Sequence, residues 1–245
     1  MRISVVVPAY NEEKTIGSVL KALLQEVPDL YEIIVVDDGS KDQTAPIAEA
    51  ISREEPRVKV IRQPKNQGKT AALRTGFAAS TGDIVIVQDA DQEYDPVDIP
   101  GLVEPILRGM ADVVYGSRFM IRQAARVLYF RHFMANNFLT FLSNLFTDLN
   151  LSDVETGYKA FRGEIIRNMV IETHGFGFEI EVTAKVAKLK CRVYEVPISY
   201  HGRTYEEGKK IGLKDGLEAI YYIFKYNWFV GLRRSYTRVP ELQKG

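Results

Sequence analysis

The sequence predicts an α/β domain built on a mostly parallel sheet flanked by helices, and three observations lead there. Short runs of apolar β-formers recur, such as Ile33-Ile34-Val35-Val36 and Ile84-Val85-Ile86-Val87. Such runs read as strands covered on both faces, because a half-exposed strand alternates apolar with polar residues. Between them apolar residues return at helical spacing, so that strand and helix alternate five times with short connections. That order implies right-handed crossovers and parallel neighbours. Finally, Glu12, Asp38, Asp89 and Asp91 all stand just past strand ends. Open α/β sheets bind their ligands at that carboxyl edge.

The elements follow in order. Ile3-Ser4-Val5-Val6-Val7 is the first strand, and Pro8-Ala9-Tyr10-Asn11-Glu12-Glu13 is the turn after it. Ile16, Val19, Leu20, Leu23, Leu24 and Val27 mark one face of a helix. The strand at 33–36 ends in Asp37-Asp38-Gly39-Ser40; a helix with Ile47, Ala48 and Ile51 follows, then a strand over 58–61. Asn66-Gln67-Gly68-Lys69 opens a helix over 70–79, which leads to the strand at 84–87. A helix around Leu102, Val103, Ile106 and Leu107 and a strand at 112–115 complete the alternation. Beyond it, 175–187 reads as a loop and helix and 193–198 as a strand.

Bulk properties exclude several classes. At 245 residues the chain has the length for one large domain, or one domain with an appendage. A formal net charge of zero removes the general electrostatic case for nucleic-acid binding. The single cysteine, Cys191, leaves no internal disulfide, and His132, His174 and His201 lack metal-ligand spacing. The N-terminus runs straight into a strand, and no apolar run approaches the roughly 18 residues of a spanning helix. The expected location is cytoplasmic, at the inner face of the membrane where the protein touches one.

The chain is organised around Gln88-Asp89-Ala90-Asp91-Gln92-Glu93-Tyr94-Asp95-Pro96, which follows the buried run at 84–87. Side chains two apart share a face of extended chain, so Asp89 and Asp91 point the same way; Glu93 joins them if the chain turns back. Two or three carboxylates there suit Mg²⁺ or Mn²⁺ carrying a diphosphate; the competing reading is an acidic surface turn. No cationic partner for Asp89 or Asp91 is evident nearby in sequence. No G-x-G-x-x-G follows the first strand and no G-x-x-x-x-G-K-[ST] occurs, so the dinucleotide fingerprint and the P-loop are both missing. Acids hold a metal or accept hydrogen bonds from a ribose or base, which favours a metal-assisted nucleotide-sugar site over a redox cofactor.

Val7-Pro8-Ala9-Tyr10-Asn11-Glu12, Asp37-Asp38-Gly39-Ser40, Asp89-Ala90-Asp91 and Gly116-Ser117-Arg118-Phe119 together resemble the family-2 glycosyltransferases with the GT-A, Rossmann-like fold. Within them the chain is most similar to dolichyl-phosphate mannose synthases and their bacterial polyprenyl-phosphate relatives. The resemblance implies inverting transfer of a hexose, mannose or glucose, from GDP-mannose or UDP-glucose to a polyprenyl phosphate. It implies that Pro8, Tyr10, Glu12 and Asp38 seat the nucleoside, that Lys69 and Ala90 also lie at the donor, and that Asp89, Asp91 and Glu93 hold the metal. Asp153-Val154-Glu155-Thr156-Gly157-Tyr158-Lys159 is similar to the family's D-x-x-[ST]-G-[FY]-[KR] segment, which puts Asp153 near the donor sugar and the acceptor. Family position also brings Glu179 and Glu181 near the site. The polar loop at 199–210 resembles a mobile loop that covers the diphosphate with an arginine, here Arg203. Such a lid excludes water from a reactive donor. Asp91, Asp153 and Arg203 are thus the catalytic candidates.

Past the sheet the composition changes. Residues 113–147 contain no acid and no lysine, yet carry Arg118, Arg122, Arg126 and Arg131. Arginine forks suit phosphate oxygens, which makes these the candidates for an acceptor phosphate. Phe130, Phe133, Phe138, Leu139, Phe141, Leu142, Leu145 and Phe146 are too many for one buried stripe. An apolar helix pair beside a cationic loop fits a lipid phosphate; core helices or a homodimer contact are the competing reading. The stretch 213–232 holds Tyr221, Tyr222, Phe224, Tyr226, Trp228 and Phe229, with Lys225 and Arg233-Arg234 nearby. It is either a peripheral amphipathic helix at a membrane or a helix packed on the catalytic domain or a second subunit. The expected division is a catalytic domain over 1–211 and a C-terminal amphipathic helix and tail over 212–245. A second function keeps fold and donor but transfers to a sugar hydroxyl in polysaccharide synthesis, with Asp153 or Glu155 as the base. A third is a nucleotide-sugar-binding protein without turnover.

Overall fold

The computed structural model describes residues 1–27, 29–120, 129–173, 175–202 and 213–242. The apolar runs of the first half form β1 (Ile3–Ala9), β2 (Leu30–Asp37), β3 (Val58–Arg62) and β4 (Ile84–Val87). Between them lie α1 (Ile16–Glu26), α2 (Thr44–Glu54) and α3 (Lys69–Ala79). β1 pairs in parallel with β2 on one side and β4 on the other, and β2 with β3. Alternate residues of these strands feed two apolar layers. Val5, Val7, Ile33 and Val35 pack toward α1, whereas Val6, Val85 and Val87 pack with Leu73 and Phe77 of α3. A Cβ on Gly76 would lie 2.2 Å from Val6 Cγ1, so α3 approaches the sheet as closely as it does only because that residue is glycine.

The second half adds α4 (Ile99–Leu107), β5 (Val113–Ser117), α5 (Phe130–Thr147), β6 (Lys159–Arg162), α6 (Gly163–Asn168), α7 (Phe178–Leu189) and β7 (Val193–Pro197). The sheet order is β3-β2-β1-β4-β6-β5-β7. β6 is inserted antiparallel between β4 and β5, and β7 pairs in parallel with β5. The α/β expectation of a mostly parallel sheet is met, with β6 as the reversed strand. Lys159-Ala160-Phe161-Arg162 carries no apolar run, which is why it does not announce itself as a strand.

The C-terminal part, α8 (Leu213–Phe224) and α9 (Leu232–Ser235), packs against the sheet domain. Ile223 and Ala219 of α8 are buried with Val154 and Ile180, and Leu139, Leu142 and Phe146 of α5 pack against them. A π-helical turn at Lys225–Phe229 buries Tyr226. Tyr236, beyond α9, donates its hydroxyl to Lys185 O at 3.0 Å and pairs with Met169. The division expected at 211/212 falls within 203–212, outside the described residues. Among the described residues no helix is long and apolar enough to cross a membrane.

Candidate functional site

β1, β2 and β4 end on one edge of the sheet, and the loops that follow are tied to one another. The Asn11 N–H donates to Ser40 Oγ at 3.0 Å, the Lys41 N–H to Asn11 Oδ1 at 2.9 Å, and the Glu12 N–H to Thr44 Oγ1 at 2.7 Å. Asp38 is 2% exposed. Its carboxylate accepts the N–H groups of Gln67 (2.9 Å) and Gly68 (2.7 Å), pinning the loop that opens α3. Burial pushes its pKa up, against the opposing pull of those two N–H groups. Pro8 is buried in β1 opposite Val36, and Glu12 accepts the Thr15 hydroxyl at 3.0 Å. Tyr10 stays exposed. The four residues expected at a nucleoside therefore share one edge, where Asp38 shapes the wall and Tyr10 faces solvent.

The next strand over carries the acids. β4 leaves the sheet at Gln88, whose N–H still donates to Val6 O at 3.0 Å. The buried Gln88 amide closes the turn, donating to Asp89 O and Tyr94 O and accepting from the Tyr158 hydroxyl. Asp91 Oδ1 accepts the Glu93 N–H at 3.1 Å. Glu93 points elsewhere: its carboxylate accepts the Tyr200 hydroxyl at 2.8 Å, and its carbonyl accepts the His201 N–H at 2.8 Å. Among the described residues no group of three His, Cys, Asp or Glu side chains is gathered to hold a metal. Ala90, between the two aspartates, is buried.

Asp89 does have a cationic partner, contrary to what its sequence neighbourhood suggests. Lys69, at the first position of α3, places Nζ 2.7 Å from Asp89 Oδ1 and 2.9 Å from Oδ2. Glu179 Oε1 lies 3.8 Å from the same ammonium. Burial would lower the Lys69 pKa, yet the two carboxylates raise it and keep it charged. Mg²⁺ ordinarily takes one or two protein carboxylates and completes its shell with water and phosphate oxygens. Asp89 and Asp91 supply that number from one turn. The donor set thus fits a cation that arrives with a diphosphate, and does not fit an all-protein cage.

The loop 153–158 lies directly against this turn. The Gly157 N–H donates to Tyr94 Oη at 2.8 Å, and a Cβ at Gly157 would lie 2.8 Å from Asp89 Oδ2. Only glycine brings backbone that close. Asp153 is fully buried, and Arg118 forks onto it with Nε 2.6 Å from Oδ2 and Nη2 2.7 Å from Oδ1. The Arg118 backbone N–H and the Asn136 amide add two more donors, each at 3.2 Å. Burial alone would raise the Asp153 pKa, but the Arg118 charge and hydrogen bonds bring it below the ordinary value. Arg118 therefore spends its fork on Asp153, where the sequence offered it to a phosphate. Arg131 stays exposed on the first turn of α5. Arg122, Arg126 and Arg203 lie outside the described residues.

Glu155 is the unusual acid. Its Oε1 is buried without a hydrogen-bond partner. Desolvation, and next the Glu179 charge, push its pKa up to about 8. Lys159, fully buried, donates to Val154 O and Thr156 O. Desolvation brings its pKa down to about 8 against the pull of Glu179 and Asp153. Glu181, by contrast, faces away from this cluster. It pairs with Lys185 and accepts the N–H groups of Glu172 and Thr173.

Residues 4–170 match the family model for glycosyl transferase family 2. The chain belongs to that family. It is 31% identical to an undecaprenyl-phosphate mannosyltransferase of Micrococcus luteus, over 86% of this chain and 88% of that protein. It is 30% identical to a dolichol-phosphate mannosyltransferase of Pyrococcus furiosus, over 92% of this chain and 64% of that one, and so spans less than two thirds of the archaeal protein. Among solved structures it resembles glucosyl-3-phosphoglycerate synthase of Mycobacterium tuberculosis in complex with Mn²⁺, UDP and glucosyl-3-phosphoglycerate. The TM-score is 0.68 at 26% identity, covering 92% of this chain and 80% of that one. The GT-A fold read from the sequence is the fold of this family-2 chain, and the protein is a glycosyltransferase.

In this glycosyltransferase several site residues escape a linear reading. Gln88, Tyr94 and Tyr158 lock the acidic turn. Glu155, expected from the sequence only as an alternative base, carries an orphaned carboxyl oxygen. Lys69 is expected at the donor; what the sequence does not show is its pairing with Asp89.

Proposed function

We propose that this protein transfers one hexose, with inversion, from a nucleotide diphosphate sugar to a polyprenyl phosphate. The observation that carries the choice of acceptor is the outer face of α5. Phe130, Phe133, Met134, Phe138, Phe141 and Leu145 recur at three- and four-residue steps, and all are exposed, Phe130 by 71% and Phe141 by 65%. Trp228 and Phe229 extend that surface from the π-helical turn, with Phe146 in edge contact with Trp228. An exposed apolar surface of that extent marks a place of interaction. It lies beside Arg131 on a helix without acids, which suits a phosphate on a hydrocarbon tail and a position against the cytoplasmic leaflet. The Micrococcus luteus and Pyrococcus furiosus relatives are named for acceptors of that kind.

In this reading Pro8, Tyr10, Glu12 and Asp38 form the nucleoside end. Asp89 and Asp91 would hold Mg²⁺ or Mn²⁺, which when bound supplies positive charge to the diphosphate leaving group. Glu93 takes part by holding the turn to Tyr200. An oxygen of the acceptor phosphate attacks the anomeric carbon as the bond to the diphosphate breaks. That oxygen is already anionic, so no strong base is required, and Arg131, with Arg122, orients it. Asp153 positions Arg118 and the wall beside the donor sugar. Arg203, in the loop that resembles the family's lid, adds charge over the diphosphate. The C-terminal helices, taken as a unit after residue 211, hold the protein at the bilayer surface.

The test supplies radiolabelled GDP-mannose or UDP-glucose with Mn²⁺ and either polyprenyl phosphate or a panel of free sugars, followed by organic extraction. Label in the organic phase is the expected outcome. Label confined to aqueous sugar would overturn the acceptor assignment and make Glu155 the base to examine.

A further inference from the structure

Lys69 and Asp89 form a contact that the donor reading does not require. The ammonium reaches both carboxylate oxygens of Asp89, at 2.7 and 2.9 Å. A cation bound to Asp89 needs the same lone pairs. The two cannot share them at full strength, because an ammonium and a divalent ion within one carboxylate's reach repel. Lys69 also has somewhere to go: Glu179 Oε1 is 3.8 Å away, in a residue only 7% exposed. Glu179 has no lysine at salt-bridge distance other than Lys69 among the described residues. A short pivot of a flexible lysine head would trade one carboxylate for the other without stranding its charge. α3 fixes the stem, since Asp38 clamps the backbone N–H of Gly68 just before it at 2.7 Å.

We propose that Lys69 is a resident counter-ion that a divalent cation must displace from Asp89 onto Glu179, so that the site resists the metal alone and takes it together with a diphosphate. The inference rests on the donor reading above. Its logic is thermodynamic. Without nucleotide, the cation gains two carboxylates but must break the Lys69–Asp89 pair. With nucleotide, phosphate oxygens complete the cation's shell and add negative charge for Lys69 to face, so displacement costs less. Coupling of this kind is reciprocal: the nucleotide tightens the metal by the same factor as the metal tightens the nucleotide. Removing the lysine should erase much of that coupling by making the metal bind better alone.

The experiment measures Mn²⁺ affinity by electron paramagnetic resonance of free Mn²⁺ on the intact protein, with and without saturating GDP or UDP. Lys69→Met is expected to bind Mn²⁺ without nucleotide about fivefold tighter than wild type. The further gain on adding nucleotide should be correspondingly smaller. Lys69→Arg keeps the charge and should behave as wild type. Lys65→Met removes the same formal charge from an exposed loop position and should also leave Mn²⁺ affinity near wild type. Thermal unfolding gives a second readout: Mn²⁺ alone should raise the melting temperature of Lys69→Met more than that of wild type. Unchanged or weaker Mn²⁺ binding by Lys69→Met, while wild type binds Mn²⁺ with nucleotide, overturns the counter-ion and leaves the donor reading standing. Equal tightening by Lys65→Met reduces the effect to net charge and overturns it too. If neither wild type nor Lys69→Met binds Mn²⁺ with either nucleotide, the metal assignment to Asp89 and Asp91 falls, and the counter-ion with it.

Discussion

The edge formed by the β1, β2 and β4 loops and the outer face of α5 and α8 are built on opposite terms. At the edge nearly every polar group has a partner within the chain: Asp38 clamps α3, Gln88 closes the acidic turn, and Arg118 forks onto Asp153. On the helical face large apolar side chains stand in solvent, with nothing among the described residues to cover them. The edge is organised before any ligand arrives, which is what precise placement of reacting groups demands. The exposed side chains of the helical face bury little within the fold, and in the proposed reading they meet the acceptor's hydrocarbon tail. Substitutions at the edge should therefore cost stability and chemistry together, and substitutions on the helical face should alter acceptor use alone.

The largest effect expected is at Arg118. Removing it leaves Asp153 buried without its counter-ion, and breaking such a pair costs about 3–5 kcal/mol. Arg118→Ala should unfold at markedly lower urea, whereas Arg118→Met combined with Asp153→Leu should recover much of the loss. A wild-type urea midpoint for Arg118→Ala would show that the edge is not held together as described.

Next comes Asp91→Asn. With Asp89 shared with Lys69, the second carboxylate carries a large share of the cation's hold, and turnover should fall at least tenfold, about 1.4 kcal/mol of transition-state stabilisation. Excess chelator should abolish turnover in the wild-type protein. Full activity in chelator would leave Lys69 as the site's working cation. On the other side of the comparison, Arg131→Glu should raise the KM for polyprenyl phosphate several-fold while the Kd for donor moves by less than about twofold. A matching loss of donor affinity would merge the two regions into one.

How much of this was legible follows the same divide. The strands at 33–36 and 84–87, the alternation with helices, and the acids past strand ends are local signals, and the structure places them as the pattern requires. β6 was not legible, because a buried four-residue strand that includes Lys159 and Arg162 lacks an apolar run. The surplus of phenylalanines in α5 was readable as composition, since one buried stripe holds only so many. The pairings were not. Lys69 with Asp89, Arg118 with Asp153 and Tyr200 with Glu93 are separated by 20, 35 and 107 residues. No spacing rule reaches so far. An acid just past a strand end also works within the chain, as Asp38 clamps the start of α3 and Glu93 holds Tyr200.

Glu155 sits where the two regions meet and gives the smallest but most diagnostic effect. Its ordinary pKa is 4.5, and burial with Glu179 nearby lifts it to about 8. Between those values the folded protein keeps a proton that the unfolded chain releases. Stability therefore falls as pH rises from about 4.5 to about 8, and levels off above. Lys159, lowered from 10.5 to about 8, has the opposite slope, but its window opens only above about pH 8. Measurements below pH 8 thus isolate the acid. Glu155→Gln cannot lose a proton, and its amide fits the same space. The variant should match wild type near pH 5 and exceed it by roughly 1 kcal/mol at pH 8, the full shift being discounted for partial solvent access. Urea unfolding at pH 5, 6, 7 and 8 reads the gap directly. A gap that stays constant across the series would mean that Glu155 ionises normally. Glu155 would then be ionised at neutral pH, which is the state that the alternative transfer to a sugar hydroxyl would need from it as a base.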